Sequence, residues 1–178
     1  MKKEIIFFQG EEILNKFDEK RIFGKELTNA QNKYIFSVLF QKKPTEDELK
    51  RIKSILSAVE LNFNPNIVLT PRAGTQSSWS SKAQDIFHNI GIVSIERIER
   101  LKGFNALNED SSMIEDKLFD RMTESLFSNL DETKIIFKSA KRKESKKYNI
   151  NEDSDLLNKL NNDLGLALNE FEISYLNS

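Results

Sequence analysis

Apolar residues along the first two thirds of this chain fall into two alternating patterns. Short aromatic and β-branched blocks are followed by segments in which apolar positions recur every three or four residues. Ile5 to Phe8 is such a block, ended by Gly10, and Glu11 to Lys20 follows with helix-compatible composition. Lys33 to Gln41, KYIFSVLFQ, has the makeup of a buried strand. After Pro44, Thr45 and Glu48 have the spacing of a capping box, and Leu49, Ile52, Ile55, Leu56 and Val59 then share one helical face. Asn66 to Thr70 reads as the next strand. Ala83, Ile86, Phe87 and Ile90 repeat at i, i+3, i+4 and i+7, which predicts a helix with Ser80 or Ser81 as N-cap and Gly91 past its end. GIVSIERIERL returns to a strand pattern, and Ser112 with Glu115 predicts a second capping box before a helix reaching about Leu130.

The pattern fades at Lys138. KSAKRKESKKYNINEDSD is basic and then acidic, with too little apolar surface to offset the entropy of ordering it, so residues 138–154 read as a flexible linker. Beyond it Leu156, Leu157, Leu160 and Leu164 form one helical stripe, and Asn169 with Glu172 can cap a further short helix. The expected organisation is a module over 1–137, the linker over 138–154, and a helical segment over 155–178.

Composition narrows the functional classes. The chain of 178 residues has 27 basic and 28 acidic side chains, a net charge of −1, so it carries no overall electrostatic footprint for nucleic acid or membrane. It has no cysteine, which excludes thiolate chemistry and cysteine-ligated metals, and one histidine, His88, which excludes a histidine-rich metal site. Thirteen phenylalanines supply a core. The N-terminal apolar run is too short for a secretory signal, and Glu11 and Glu12 follow it closely. No run of about 20 apolar residues is present. The reading is a cytoplasmic protein.

Between the strand ending at Thr70 and the helix containing Ile86 lies TPRAGTQSSWSSKAQDI, which places the single tryptophan among small hydroxyls. A capped connection whose serines satisfy local backbone groups is one reading. A contact surface is the other, since a helix N-terminus leaves N–H groups free for a partner's oxygens. Ser80 with Lys82 could also serve as a nucleophile pair, although an S-x-x-K motif ending at Lys82 would need serine where Trp79 stands. His88 reads as a structural histidine. The basic run Lys138 to Lys147 could bind nucleic acid, yet no aromatic is interleaved in it apart from the flanking Tyr148, acidic residues follow directly, and a solvated linker is favoured.

The stretch LTPRAGTQSSWSSKAQDIFHNIG resembles the N-terminal module of the large, single-chain phosphoribosylformylglycinamidine synthases, whose pattern is close to T-P-R-x-G-T-x-S-P-W-S-S-K-A-x-D-I. DRMTESLF from Asp120 and LGLALNEFEISYL from Leu164 are weaker echoes in the right order, the latter similar to the start of that family's linker domain. Ser78 departs from the pattern by standing where the family has proline. The resemblance implies an α+β fold, a two-layer sandwich of two ferredoxin-like halves. It implies an N-terminal fragment of an enzyme that makes the amidine from formylglycinamide ribonucleotide with ATP, magnesium and glutamine-derived ammonia. By the same resemblance the chain has no active site or cofactor of its own, ATP and magnesium belong to a downstream synthetase domain, and the partners are the synthetase and glutaminase domains. Arg72, Gly74, Thr75, Ser77, Trp79, Ser80, Ser81, Lys82 and Asp85 are then the expected interface, close to the substrate. Trp79 is expected to be half buried, pinning the loop. A free-standing adaptor using residues 138–147, for nucleic acid or protein, and a small hydrolase using Ser80 and Lys82 remain as alternatives.

Overall fold

The computed structural model describes residues 3–27, 30–106, 109–138, 145–149 and 155–177. They belong to two units, Met1–Ala140 and Lys141–Ser178.

In the first unit the strands are β1 (Glu4–Gln9), β2 (Gln31–Phe40), β3 (Val59–Glu60), β4 (Ile67–Pro71), β5 (Ile95–Asn105) and β6 (Glu124–Phe127). Its principal helices are α1 (Lys16–Phe23), α2 (Glu46–Ile55), α3 (Ser78–Asn89) and α4 (Glu109–Leu118). Every neighbouring pair of strands is antiparallel, in the order β3-β1-β2-β5-β4-β6. The same succession therefore occurs twice. Strand, helix, strand, helix and strand give β3-β1-β2, and then their mirror β5-β4-β6, with β2 against β5 at the join. This is the α+β sandwich of two halves that the resemblance implies.

Side-chain alternation along the strands decides where the core sits. Phe8, Phe36, Val38, Phe40 and Ile98 meet Ile52 of α2 and Ala83 and Phe87 of α3 in one cluster. Ile67, Leu69 and Phe104 meet Phe23 of α1 and Ile114 of α4 in another. Each cluster thus joins a helix from one half to a helix from the other. Truncating a fully buried phenylalanine such as Phe87 would cost about 3–5 kcal/mol. The opposite face buries Ile35, Val68 and Leu101 beneath Phe63 and Ile136. Ile136 lies in a 3-10 turn, Lys134–Phe137, that follows the short helix α5 (Leu130–Thr133). Gly103 makes that cover possible, because a Cβ there would lie 2.6 Å from Ile35 Cδ1 and 3.1 Å from the Phe63 ring.

Several boundaries differ from expectation, each for an identifiable cause. The first helix begins at Lys16, because Asn15 accepts the Asp18 N–H and caps it. The Thr45–Glu48 capping box forms as expected, but α2 stops at Ile55. Ser57 has φ of 49°, the chain reverses there, and Val59 pairs with Gln9 as β3. The helix expected to run to about Leu130 ends at Leu118, and Ser112 lies inside it. Asp120 accepts the Met122 N–H and the Thr123 hydroxyl, turning the chain into β6 along β4. The Thr123 hydroxyl, with the Met122 N–H beside it, holds the Asp120 carboxyl below its ordinary pKa.

The second unit contains α6 (Leu156–Leu164) and α7 (Glu170–Leu176), and the expected Asn169–Glu172 capping box is present. Asn161 fixes the connection between them by donating to Leu168 O and accepting from Leu168 N. Most of the expected linker, residues 139–144 and 150–154, lies outside the described residues.

Candidate functional site

β4 leaves the sheet at Pro71, but the backbone is not released. Arg72 N donates to Thr123 O at 2.9 Å, and Ala73 N donates to Ser125 Oγ at 3.1 Å. Gly74 then turns with φ of 87°, a left-handed conformation that glycine adopts without a Cβ penalty. Thr75 closes the turn by donating its N–H and its hydroxyl to Arg72 O, at 3.0 and 2.7 Å.

Ser77 ends the turn and starts α3. Its Oγ accepts the Ser80 N–H at 3.0 Å, so Ser77, and not Ser80 or Ser81, is the N-cap. The same hydroxyl donates to Glu99 Oε2 at 2.6 Å, and Ser77 N donates to Glu99 Oε1 at 3.2 Å. These two hydrogen bonds to a strand residue explain why the helix starts early: a cap tied to β5 wins over two other serines of equal local propensity. Ser78 to Ser81 consequently form the first turn of α3, ahead of the start that Ser80 or Ser81 as N-cap predicts.

Glu99 is 0% exposed, so its charge needs a partner. Arg97 supplies it, with Nε at 3.0 Å and Nη2 at 2.6 Å from Oε1. The same guanidinium donates to Thr75 O and to Ile136 O, and lies over the Phe137 ring. One buried ion pair thereby fastens the turn, the helix cap and the 3-10 turn together. Neither residue was singled out from the sequence. The available signal was IERIERLK, a strand with charges interleaved among its buried isoleucines.

The expected site residues separate into two groups. Ser80 is fully buried, and Ser77 and Trp79 are half-buried. Trp79 stacks on Phe36, with ring centroids 5.8 Å apart and planes 24° from parallel. Arg72, Gly74, Thr75, Ser81, Lys82 and Asp85 are exposed. Among the described residues neither Arg72 nor Lys82 forms an ion pair; Arg72 Nη1 reaches only Met122 O, at 3.4 Å. Next to Lys82, an apolar groove of about 210 Å³ runs between α2 and α3, lined by Ile55, Leu56, Trp79, Ala83, Ile86 and Phe87.

The nucleophile pair is not assembled. Ser80 Oγ is buried and accepts from Gln76 Nε2 at 3.2 Å, whereas Lys82 faces solvent, and residues two apart on a helix do not face each other. His88 is structural: its Nε2 lies 2.8 Å from Ile95 O, a carbonyl that can only accept, so that nitrogen carries the proton. A further cavity of about 690 Å³ lies beside α1 and shares no lining residue with this surface. Its charges are matched internally, Lys16 with Glu26 and Lys33 with Glu12, and Glu19 accepts from Leu27 N and Asn32 Nδ2. Among the described residues no group of three or more His, Cys, Asp or Glu side chains could hold a metal ion. No described helix is long and apolar enough to cross a membrane. Of the basic run, Lys138, Lys146 and Lys147 are described, and all are exposed.

The family model for the formylglycinamide ribonucleotide amidotransferase N-terminal region matches residues 25–137. That interval starts after α1 and ends with the 3-10 turn held by Arg97.

Proposed function

Because this chain belongs to the formylglycinamide ribonucleotide amidotransferase N-terminal family, we propose that it is the docking module of phosphoribosylformylglycinamidine synthase in purine biosynthesis. In this reading the synthetase and glutaminase domains carry out the chemistry with ATP, magnesium and glutamine. This module supplies a rigid surface to the synthetase domain near its substrate and has no active site of its own. The observation that carries the reading is the contrast within residues 72–82. The backbone is bolted from beneath by Glu99 and Arg97, while Arg72 and Lys82 face outward without ion partners among the described residues. An arginine fork suits a carboxylate or phosphate. Lys82 next to the first turn of α3 is opposed by the positive end of the helix macrodipole, a penalty of a few tenths of a kcal/mol up to about 1 that an anionic partner would remove.

Complementation tests this. A family enzyme lacking its N-terminal module is mixed with the purified chain, and amidine formation is followed with ATP, magnesium and glutamine. The expected result is turnover only in the mixture, with none from the chain alone. Turnover by the chain alone would contradict the absence of an active site. Absence of both binding and restored turnover would contradict docking.

A further inference from the structure

Arg100 is the one exposed residue between buried Glu99 and buried Leu101 on the central strand β5. It sits opposite Phe36, on the face that carries the helices. Its guanidinium carbon lies 4.8 Å from the Tyr34 ring centroid and 5.4 Å from that of Trp79. Trp79 is itself held in place by Phe36. Two rings therefore flank the guanidinium, a contact through its π-face that does not consume its edge N–H donors.

Among the described residues Arg100 forms neither an ion pair nor a hydrogen bond. Two acids of the same sheet are committed elsewhere: Glu99 to Ser77 and Arg97, and Glu124 to Lys102 at 2.7 Å. A second unpaired cation, Lys82, follows Trp79 by three positions on α3, which places it on the same helix flank. An arginine left free of carboxylates but clamped in plane has already lost the rotamer freedom that binding would otherwise take from it.

We infer that Arg100, clamped by Tyr34 and Trp79, is an oxyanion-binding fork that takes a carboxylate or phosphate group edge-on, with Lys82 adding charge at its rim. The fork is a property of this module and does not depend on the docking reading. Its oxyanion could come from a phosphorylated small molecule or from an acidic side chain of a protein.

The single tryptophan is a built-in reporter. Inorganic phosphate and acetate are titrated separately into the purified chain at constant ionic strength, balanced with sodium chloride, while Trp79 emission is recorded. The expected result is a saturable change with at least one oxyanion and none with chloride. Tighter phosphate binding assigns the fork to a phosphorylated ligand, and tighter acetate binding assigns it to a partner's carboxylate. Arg100→Lys keeps the charge but loses the planar fork, and should weaken binding about tenfold, the effect of one charge-assisted hydrogen bond. Arg100→Gln should abolish the response while the circular dichroism spectrum is unchanged. Absence of saturation with both anions in the wild-type chain would overturn the inference. So would an equal response to chloride, or undiminished affinity in Arg100→Lys.

Discussion

The two halves of the sheet make the same connection twice, and treat it differently. Residues 10–15 link β1 to α1, and residues 72–77 link β4 to α3. In the first, Ile13 and Leu14 turn inward to the α1–α4 core, and buried Asn32 accepts both of their N–H groups at 2.8 Å. The loop is held by its own apolar side chains, and its polar groups are consumed internally. In the second, residues 72–76 are all exposed, and the fastening comes from below, from the Glu99–Arg97 pair. A loop that only needs to connect can pack itself down. One that must present side chains outward needs an anchor that leaves those side chains free, and a buried carboxylate reaching backbone N–H and cap hydroxyl provides one.

The comparison breaks most severely at its anchors. Glu99→Ala leaves a half-buried arginine unpaired and the Ser77 donors unmatched, and should cost about 3 kcal/mol of unfolding free energy in urea titration. Loss of amide-exchange protection should appear first in residues 72–77. Asn32→Ala leaves two backbone N–H groups without an acceptor and should cost about 2 kcal/mol, with protection lost in residues 10–15 and retained in 72–77. If either variant loosened both loops equally, the halves would not be independently anchored. A smaller effect is expected at the capping box of α2. The Thr45 N–H, then the Ser94 hydroxyl, hold the Glu48 carboxyl below its ordinary value of 4.5. A depressed folded-state pKa gives stability that is present above 4.5 and lost as the pH falls through the folded value. Midpoint temperatures of the native chain should therefore drop more steeply with acidification than those of Glu48→Gln, the curves converging at low pH.

Legibility followed the range of the deciding interaction. The capping boxes at Thr45 and Asn169 were readable because every atom involved lies within four residues. β3 and β6 were not, because short strands exist only through partners far along the chain: Val59 needs Gln9, and Ser125 needs Thr70. The cap of α3 shows the same rule at single-residue scale. Ser77, Ser80 and Ser81 are locally equivalent, and Glu99 decides between them. Of the candidate site, the outward residues Arg72, Thr75 and Lys82 stood out by composition and by resemblance. The buried pair beneath them, and the clamped Arg100, were hidden because a charge on a strand does not announce which face it occupies.

In the docking reading proposed above, residues 72–82 are a rigid surface whose charges serve a partner. The direct measurement is the Arg72→Ala/Lys82→Ala double variant, assayed for unfolding free energy and for affinity to the remaining domains of a family enzyme. The predicted result is a stability change within about 0.5 kcal/mol, as exposed substitutions usually give, together with loss of at least about one hydrogen-bonded charge contact, a tenfold or greater weakening of binding. Unchanged affinity, or affinity that falls only in proportion to the folded fraction, would contradict the account and return this stretch to a purely structural role.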